Sequence, residues 1–172
     1  ETEPKEYVPE FIEAAGEVSG TTRGNAYHRV MELMDFTKVP QMDAIWQDME
    51  QLAEEKVLDP LYLSLIRKDK LDAFLQSDLA RRMKNAQKEE KLYREQPFVY
   101  GLEASRVDAK FPKEEKVLIQ GIIDAYFEED GELVIVDYKT DRVDSELELI
   151  KRYKKQLDYY EEALARLTNQ KI

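Results

Sequence analysis

The spacing of hydrophobic and polar positions changes once along the chain, near residue 95. Before that point apolar residues recur at intervals of three and four, the signature of one helix face. Tyr27, Val30, Met31 and Met34 fall at i, i+3, i+4 and i+7, so Arg23–Phe36 is predicted as a helix with its caps in Ser19–Thr22. Met42–Glu55 is predicted as a second helix. Pro60 opens a third stretch with helical period over Leu61–Ser77, and Asp78–Leu92 reads as a further helix rich in basic residues. Residues 1–18, with Pro4 and Pro9, read as an irregular acidic lead-in. Beyond residue 95 the period falls toward two. Pro97–Leu102 and Ser105–Phe111 read as short strands, Leu118–Phe127 and Glu132–Tyr138 as longer ones, and Asp144–Leu167 as a long amphipathic helix. Helices, then strands, then a helix predict one mixed α/β (α+β) domain over residues 1–172: mainly helical over 19–94, strands over 95–140, a helix over 141–172.

The strongest local signal is LIQGIIDAYFEEDGELVIVDYKT, residues 118–140. Asp130-Gly131 between two apolar runs predicts a two-residue hairpin turn. Such a turn pairs Glu129 with Glu132 and, carried back along the strands, Asp124 with Asp137. Directly opposed residues place their Cβ atoms roughly 5 Å apart, and like charges there repel unless a cation lies between them. Leu133, Ile135, Asp137 and Lys139 share one face; Val134, Val136 and Tyr138 share the other. An acid and a lysine that continue an apolar face lie in a semi-enclosed site. Two acids and a lysine on one face suit a hard divalent cation such as Mg²⁺, which activates water and stabilises charge on a phosphoryl oxygen. That points to phosphodiester hydrolysis, with Lys139 orienting the water or neutralising charge. The plainer alternative is a hairpin held by a salt bridge between Asp137 and Lys139.

Composition narrows the chemistry. The chain has 172 residues, no cysteine and one histidine, His28. Disulfides, thiolate zinc, iron–sulfur clusters and a cysteine nucleophile are therefore excluded. Any metal rests on oxygen ligands and at most one imidazole. The net charge of −11 argues against nucleic acid until its distribution is considered. Residues 1–60 hold 14 acids and 5 bases, whereas the remainder holds 23 and 21. Arg81, Arg82, Lys84, Lys88, Lys91 and Arg94 form one basic cluster, and Lys151, Arg152, Lys154 and Lys155 another. Each reads as a solvated helix face or a phosphate contact, with Arg81, Arg82 and Lys84 the candidate DNA-binding residues. No apolar run reaches the roughly 20 residues of a membrane span, and no secretory signal is visible. The chain begins at Glu1 rather than methionine and reads as part of a longer polypeptide. There is no GxxxxGK[ST] loop, so ATP hydrolysis is not expected of this chain.

Five segments, in this order and spacing, resemble the RecB-family branch of the PD-(D/E)XK nucleases, and within it the nuclease domains of AddA/RexA-type helicase–nuclease proteins. They are GNAYH at 24–28, EQPF at 95–98, GIID at 121–124, VDYKT at 136–140 and QLDYY at 156–160. The resemblance implies a restriction-endonuclease-like core: a central mixed sheet whose hairpin carries the site, flanked by helices. It implies His28, Asp124, Asp137 and the main-chain carbonyl of Tyr138 as metal ligands, Lys139 as the catalytic lysine, and Glu95 as a supporting acid. Gln156 and Tyr160 would flank the site from the last helix. It further implies Mg²⁺, with Mn²⁺ as a substitute, and an exonuclease acting on a DNA strand fed by a helicase. The expected setting is double-strand-break processing for recombination beside an AddB/RexB-type subunit in the bacterial cytoplasm, with no membrane partner. Two other readings stay open: a non-catalytic DNA-sensing or docking module of such a complex, and a stand-alone restriction-type endonuclease.

Overall fold

Helices build one side of the molecule; a sheet and one long helix build the other. The computed structural model describes residues 18–112, 114–138 and 146–168. The helical side comprises α1 (Val18–Leu33), a 3-10 turn (Phe36–Lys38), α2 (Met42–Glu54), α3 (Pro60–Leu65), α4 (Lys68–Leu75) and α5 (Asp78–Lys88). There follow β1 (Leu92–Glu103), the short α6 (Ala104–Val107), β2 (Lys116–Glu129), β3 (Glu132–Val136) and α7 (Glu146–Thr168). The described sheet has the order β1-β2-β3 and both of its ladders are antiparallel.

Several boundaries differ from the sequence expectation, each for a tertiary reason. Ser19–Thr22 lie inside α1 rather than capping it. Helix α1 stops at Leu33, short of Phe36, because distant groups take over its end. The Arg94 guanidinium donates to the carbonyls of Met34 at 2.6 Å and Met31 at 3.3 Å. Gln87 accepts the Phe36 N–H and donates to Asp35, whose carboxylate caps Thr37. The single helix expected over Leu61–Ser77 is two, with extended backbone at Ile66 and Arg67. Tyr27 on α1 holds that break by accepting the Arg67 N–H at 3.0 Å. Helix α5 ends at Lys88 rather than Leu92. Glu90 takes a left-handed φ of 59° and Lys91 N donates back to Ala86 O at 2.8 Å, a Schellman-type stop. Strand β1 therefore starts at Leu92, earlier than Pro97. Ser105–Phe111 is not a strand: the β1–β2 ladder runs to Glu103↔Lys116, so this segment is the connection and contains α6.

The hairpin follows its turn residues. Asp130 and Gly131 have φ of 52° and 79°, both positive as a type I′ turn requires. The ladder runs from Glu129↔Glu132 to Ala125↔Val136, the register that the turn predicts.

The sheet serves two hydrophobic cores. One unites Val30, Met34, Phe36, Ile45, Met49, Leu71 and Met83 of the helical side with Ala125, Phe127 and Val136. The other unites Phe98, Tyr100, Ile119, Ile123 and Leu133 with Tyr159, Tyr160 and Leu164 of α7. Residues two apart in a strand share a face. Yet Ile123 belongs to the second core and Ala125 to the first. On β1, Leu92 packs against the first core and Phe98 lies in the second, although they too should share a face. The β1–β2 ribbon thus changes facing between these positions. The ladder pairs Arg94 with Ala125 and Gln96 with Ile123, and it skips Glu95 and Asp124 between them. At that gap Glu95 has a φ of +47°, a left-handed conformation unusual for a side chain of this size.

Candidate metal centre

The gap in the ladder is where the polar groups converge. Asp124 occupies it from β2 and is 6% exposed. One of its oxygens, Oδ1, lies 3.2 Å from Nδ1 of His28 on α1. The other, Oδ2, accepts the Tyr138 N–H at 2.7 Å. The Tyr138 ring packs edge-on to the His28 imidazole, with centroids 6.1 Å apart. This ties the segment after β3 to both Asp124 and α1.

Glu95 enters from β1. Its left-handed backbone breaks the strand's alternation, and its Oε1 is buried with no hydrogen-bond partner. Burial raises the Glu95 carboxyl above the usual carboxylate range, and the charge of Asp124 adds to the rise. The hydrogen bond with Asp124 raises the His28 imidazole above its ordinary value against the opposing effect of burial; the charges of Asp124, Glu95 and Asp137 act with it. His28, Glu95 and Asp124 each present a ligand atom within 4.8 Å of the others. An orphaned carboxylate oxygen, a buried acid and one imidazole form a hard donor set with excess negative charge. That set fits a small divalent cation. It would satisfy the orphaned oxygen and screen the two carboxylates from each other.

The remaining candidates divide. Asp137 lies one residue beyond the end of β3, so the pair it was expected to form with Asp124 falls one step past the ladder. It is half-buried, and its charge reaches both His28 and Tyr160. Gln156 and Tyr160 are buried on α7, and the Gln156 amide donates to the Tyr160 hydroxyl. Burial pushes the Tyr160 phenol up, and the charges of Asp137, Asp124 and Glu95 push it further. Lys139 lies outside the described residues. Arg81, Arg82 and Lys84 are not brought to the cluster. Arg81 pairs with Asp78, and Lys84 donates to the Val39 carbonyl. Arg82 grips Glu129 at the hairpin tip, five residues along β2 from Asp124, or roughly 17 Å.

Two contributors were missed in the sequence. Arg94, counted among solvated basic residues, is a partly buried strut that also lies 5.7 Å over the Phe36 ring. Tyr138 contributes its N–H and ring to the cluster, beyond the carbonyl expected of it. Nothing in local sequence separates a buried arginine from a solvated one. The Asp-Tyr-Lys spacing could have flagged the tyrosine.

The sequence profile of the PD-(D/E)XK nuclease superfamily matches residues 6–172. The chain belongs to that superfamily, and its sheet flanked by helices is the restriction-endonuclease-like fold. It is similar to the A subunit of the ATP-dependent helicase/nuclease of Lachnoclostridium phytofermentans, 35% identical over 200 residues, covering 96% of this chain and 14% of the relative. The protein of the same description from Clostridium botulinum (strain Alaska E43 / Type E3) is 36% identical over 168 residues, covering 95% and 14%. That of Clostridioides difficile (strain 630) is 34% identical over 176 residues, again covering 95% and 14%. The chain thus spans 14% of the length of these curated relatives. Among the described residues no helix is long and apolar enough to cross a membrane.

Proposed function

We propose that residues 1–172 are a single nuclease domain that hydrolyses DNA phosphodiesters with a divalent cation, Mg²⁺ or in its place Mn²⁺. The observation that carries this reading is the convergence of His28, Glu95 and Asp124 at a break in the ladder, with Glu95 Oε1 buried and unpaired. His28, Asp124, Asp137 and the Tyr138 carbonyl would hold the cation, with Glu95 within reach. When bound, it supplies Lewis-acid activation of water and charge stabilisation at the phosphoryl oxygens. The chain's own residues do the rest. The Tyr138 N–H fixes the Asp124 carboxylate. His28, once neutral, would offer a ring nitrogen as a ligand. Lys139, two residues past Asp137, would orient the attacking water. Gln156 and Tyr160, buried and hydrogen-bonded to each other on α7, would flank the site. Phosphates rather than bases position the strand, so cleavage is sequence-nonspecific.

The similarity to these helicase/nuclease relatives supports a wider setting. There, this domain is an exonuclease within a longer cytoplasmic bacterial chain, paired with an AddB/RexB-type subunit. It receives a single strand from the motor during double-strand-break repair, and Arg81, Arg82 and Lys84 would assist on the DNA side. A thermal-shift titration with Mg²⁺ and Mn²⁺ tests the site. Wild type is expected to be stabilised by either ion and to nick DNA, and Asp124→Ala to do neither. Equal stabilisation and equal nicking by the variant would reject the reading.

A further inference from the structure

Gly121 pairs with Phe98 across the β1–β2 ladder. Its φ is not in the left-handed range, so conformational freedom is not why it is glycine. Space is. A Cβ at Gly121 would lie 2.8 Å from Cζ and 3.0 Å from Cε1 of the Phe98 ring, closer than packed carbons approach. The ring therefore rests on the bare backbone of the neighbouring strand. From there it meets Tyr160 edge-to-face, with centroids 5.6 Å apart and planes at 77°. Phe98 is 6% exposed and Tyr160 4%. Tyr160 in turn accepts from Gln156, one helical turn earlier on α7 and on the same side. Glu95 and Asp124 of the acidic cluster lie three residues from Phe98 and Gly121 on the same two strands, and their charges reach the Tyr160 hydroxyl.

We infer that Gly121 and Phe98 are a matched pair of positioning residues that sets how deeply α7 seats on the ribbon. Through that depth they place Gln156 and Tyr160 against the candidate metal centre. A methyl group at Gly121 lifts the Phe98 ring toward Tyr160, which it already meets edge-to-face. The inference rests on reading His28, Glu95 and Asp124 as the ion site.

The test is a double-mutant cycle in the 172-residue chain: Gly121→Ala, Phe98→Leu and both together. The readouts are stability in EDTA, the Mn²⁺-induced thermal shift, and kcat and KM for cleavage of a single-stranded oligonucleotide well below the melting point. Gly121→Ala is expected to lower kcat about tenfold with KM little changed, and to shrink the Mn²⁺ shift. Phe98→Leu, added to it, removes the far end of the ring and restores most of both. A purely structural role would lower stability and leave kcat at low temperature alone. The inference is overturned if Gly121→Ala cleaves like wild type, or if the double variant is no better than Gly121→Ala. If wild type neither cleaves DNA nor responds to Mn²⁺, the ion-site reading falls separately. The packing pair is then judged by stability alone, where non-additive recovery in the double variant supports it and additivity overturns it.

Discussion

The two halves of the β1–β2 ribbon live in different surroundings. Near the hairpin tip, Ala125–Phe127 of β2 are covered on both faces, Ala125 and Phe127 by the helical side and Tyr126 by the α7 core. Toward the other end only the face toward α7 is covered. There Val99, Leu118 and Ile122 are 63%, 73% and 51% exposed, while Tyr100, Ile119 and Ile123 beneath them are buried. The half covered twice and the half covered once use opposite residue parities for the same core. A regular ladder cannot switch parity, so the pairing lapses at Glu95 and Asp124. Two carboxylates and an imidazole occupy the lapse. The polar site is thus a consequence of joining two cores through one ribbon. It sits where backbone hydrogen bonding is already interrupted and side chains have room to turn inward.

The largest expected effect is in the doubly covered half. Phe127→Ala should cost about 3–5 kcal/mol in urea denaturation, because the ring is fully buried. A cost below about 1 kcal/mol would mean that this half is not the rigid member of the pair. Next comes the seam. At a regular strand position alanine is more stable than glycine. At Glu95, with its φ of +47°, the order should reverse, with Glu95→Gly more stable than Glu95→Ala by about 1 kcal/mol in EDTA. Alanine equal or superior there would show that the ribbon does not turn at this residue.

A pH series separates the seam from both halves. His28 is the chain's only histidine, so its imidazole NMR signal needs no assignment. Its folded pKa is raised above 6.5, chiefly by the hydrogen bond with Asp124. Without metal, the protonated ring therefore stabilises the fold fully below about pH 6.5, and that stabilisation is lost as the pH rises through the raised value. An ion needs the neutral ring, so the Mg²⁺-induced thermal shift should grow over the same interval. A His28 titration at or below its ordinary value would contradict the pairing. The smallest effect belongs to the singly covered half: Leu118→Thr should change stability by less than about 0.5 kcal/mol, since the side chain is mostly in water.

How much could be read in advance tracks how local the cause is. The Asp130-Gly131 turn carried its own φ requirement, and the register of β2 and β3 followed from it. The break at Ile66 and Arg67 could not be read, because the group that holds it, Tyr27, is 40 positions away. The end of α1 is similar: its stop is made by Arg94 and Gln87. The segment Ser105–Phe111 looked like a strand only until the adjacent ladder was seen to be complete. At the site, Asp124 was legible from the hairpin and His28 only through motif resemblance. The same resemblance placed Glu95 near the site, but its left-handed backbone was not legible, since nothing in Arg-Glu-Gln-Pro announces one.

By itself, the order of residues determined the change from helical to strand period, the hairpin and its register, the absence of any cysteine ligand, and the five motif segments. These depend on neighbours a few positions apart, where backbone geometry and side-chain type decide alone. Only the tertiary structure decided that two cores share one ribbon, that the ribbon changes face at Glu95 and Asp124, and that a histidine nearly a hundred residues upstream of Asp124 meets it there. Those outcomes depend on how separate layers bury their apolar faces against each other, and no local pattern carries that information.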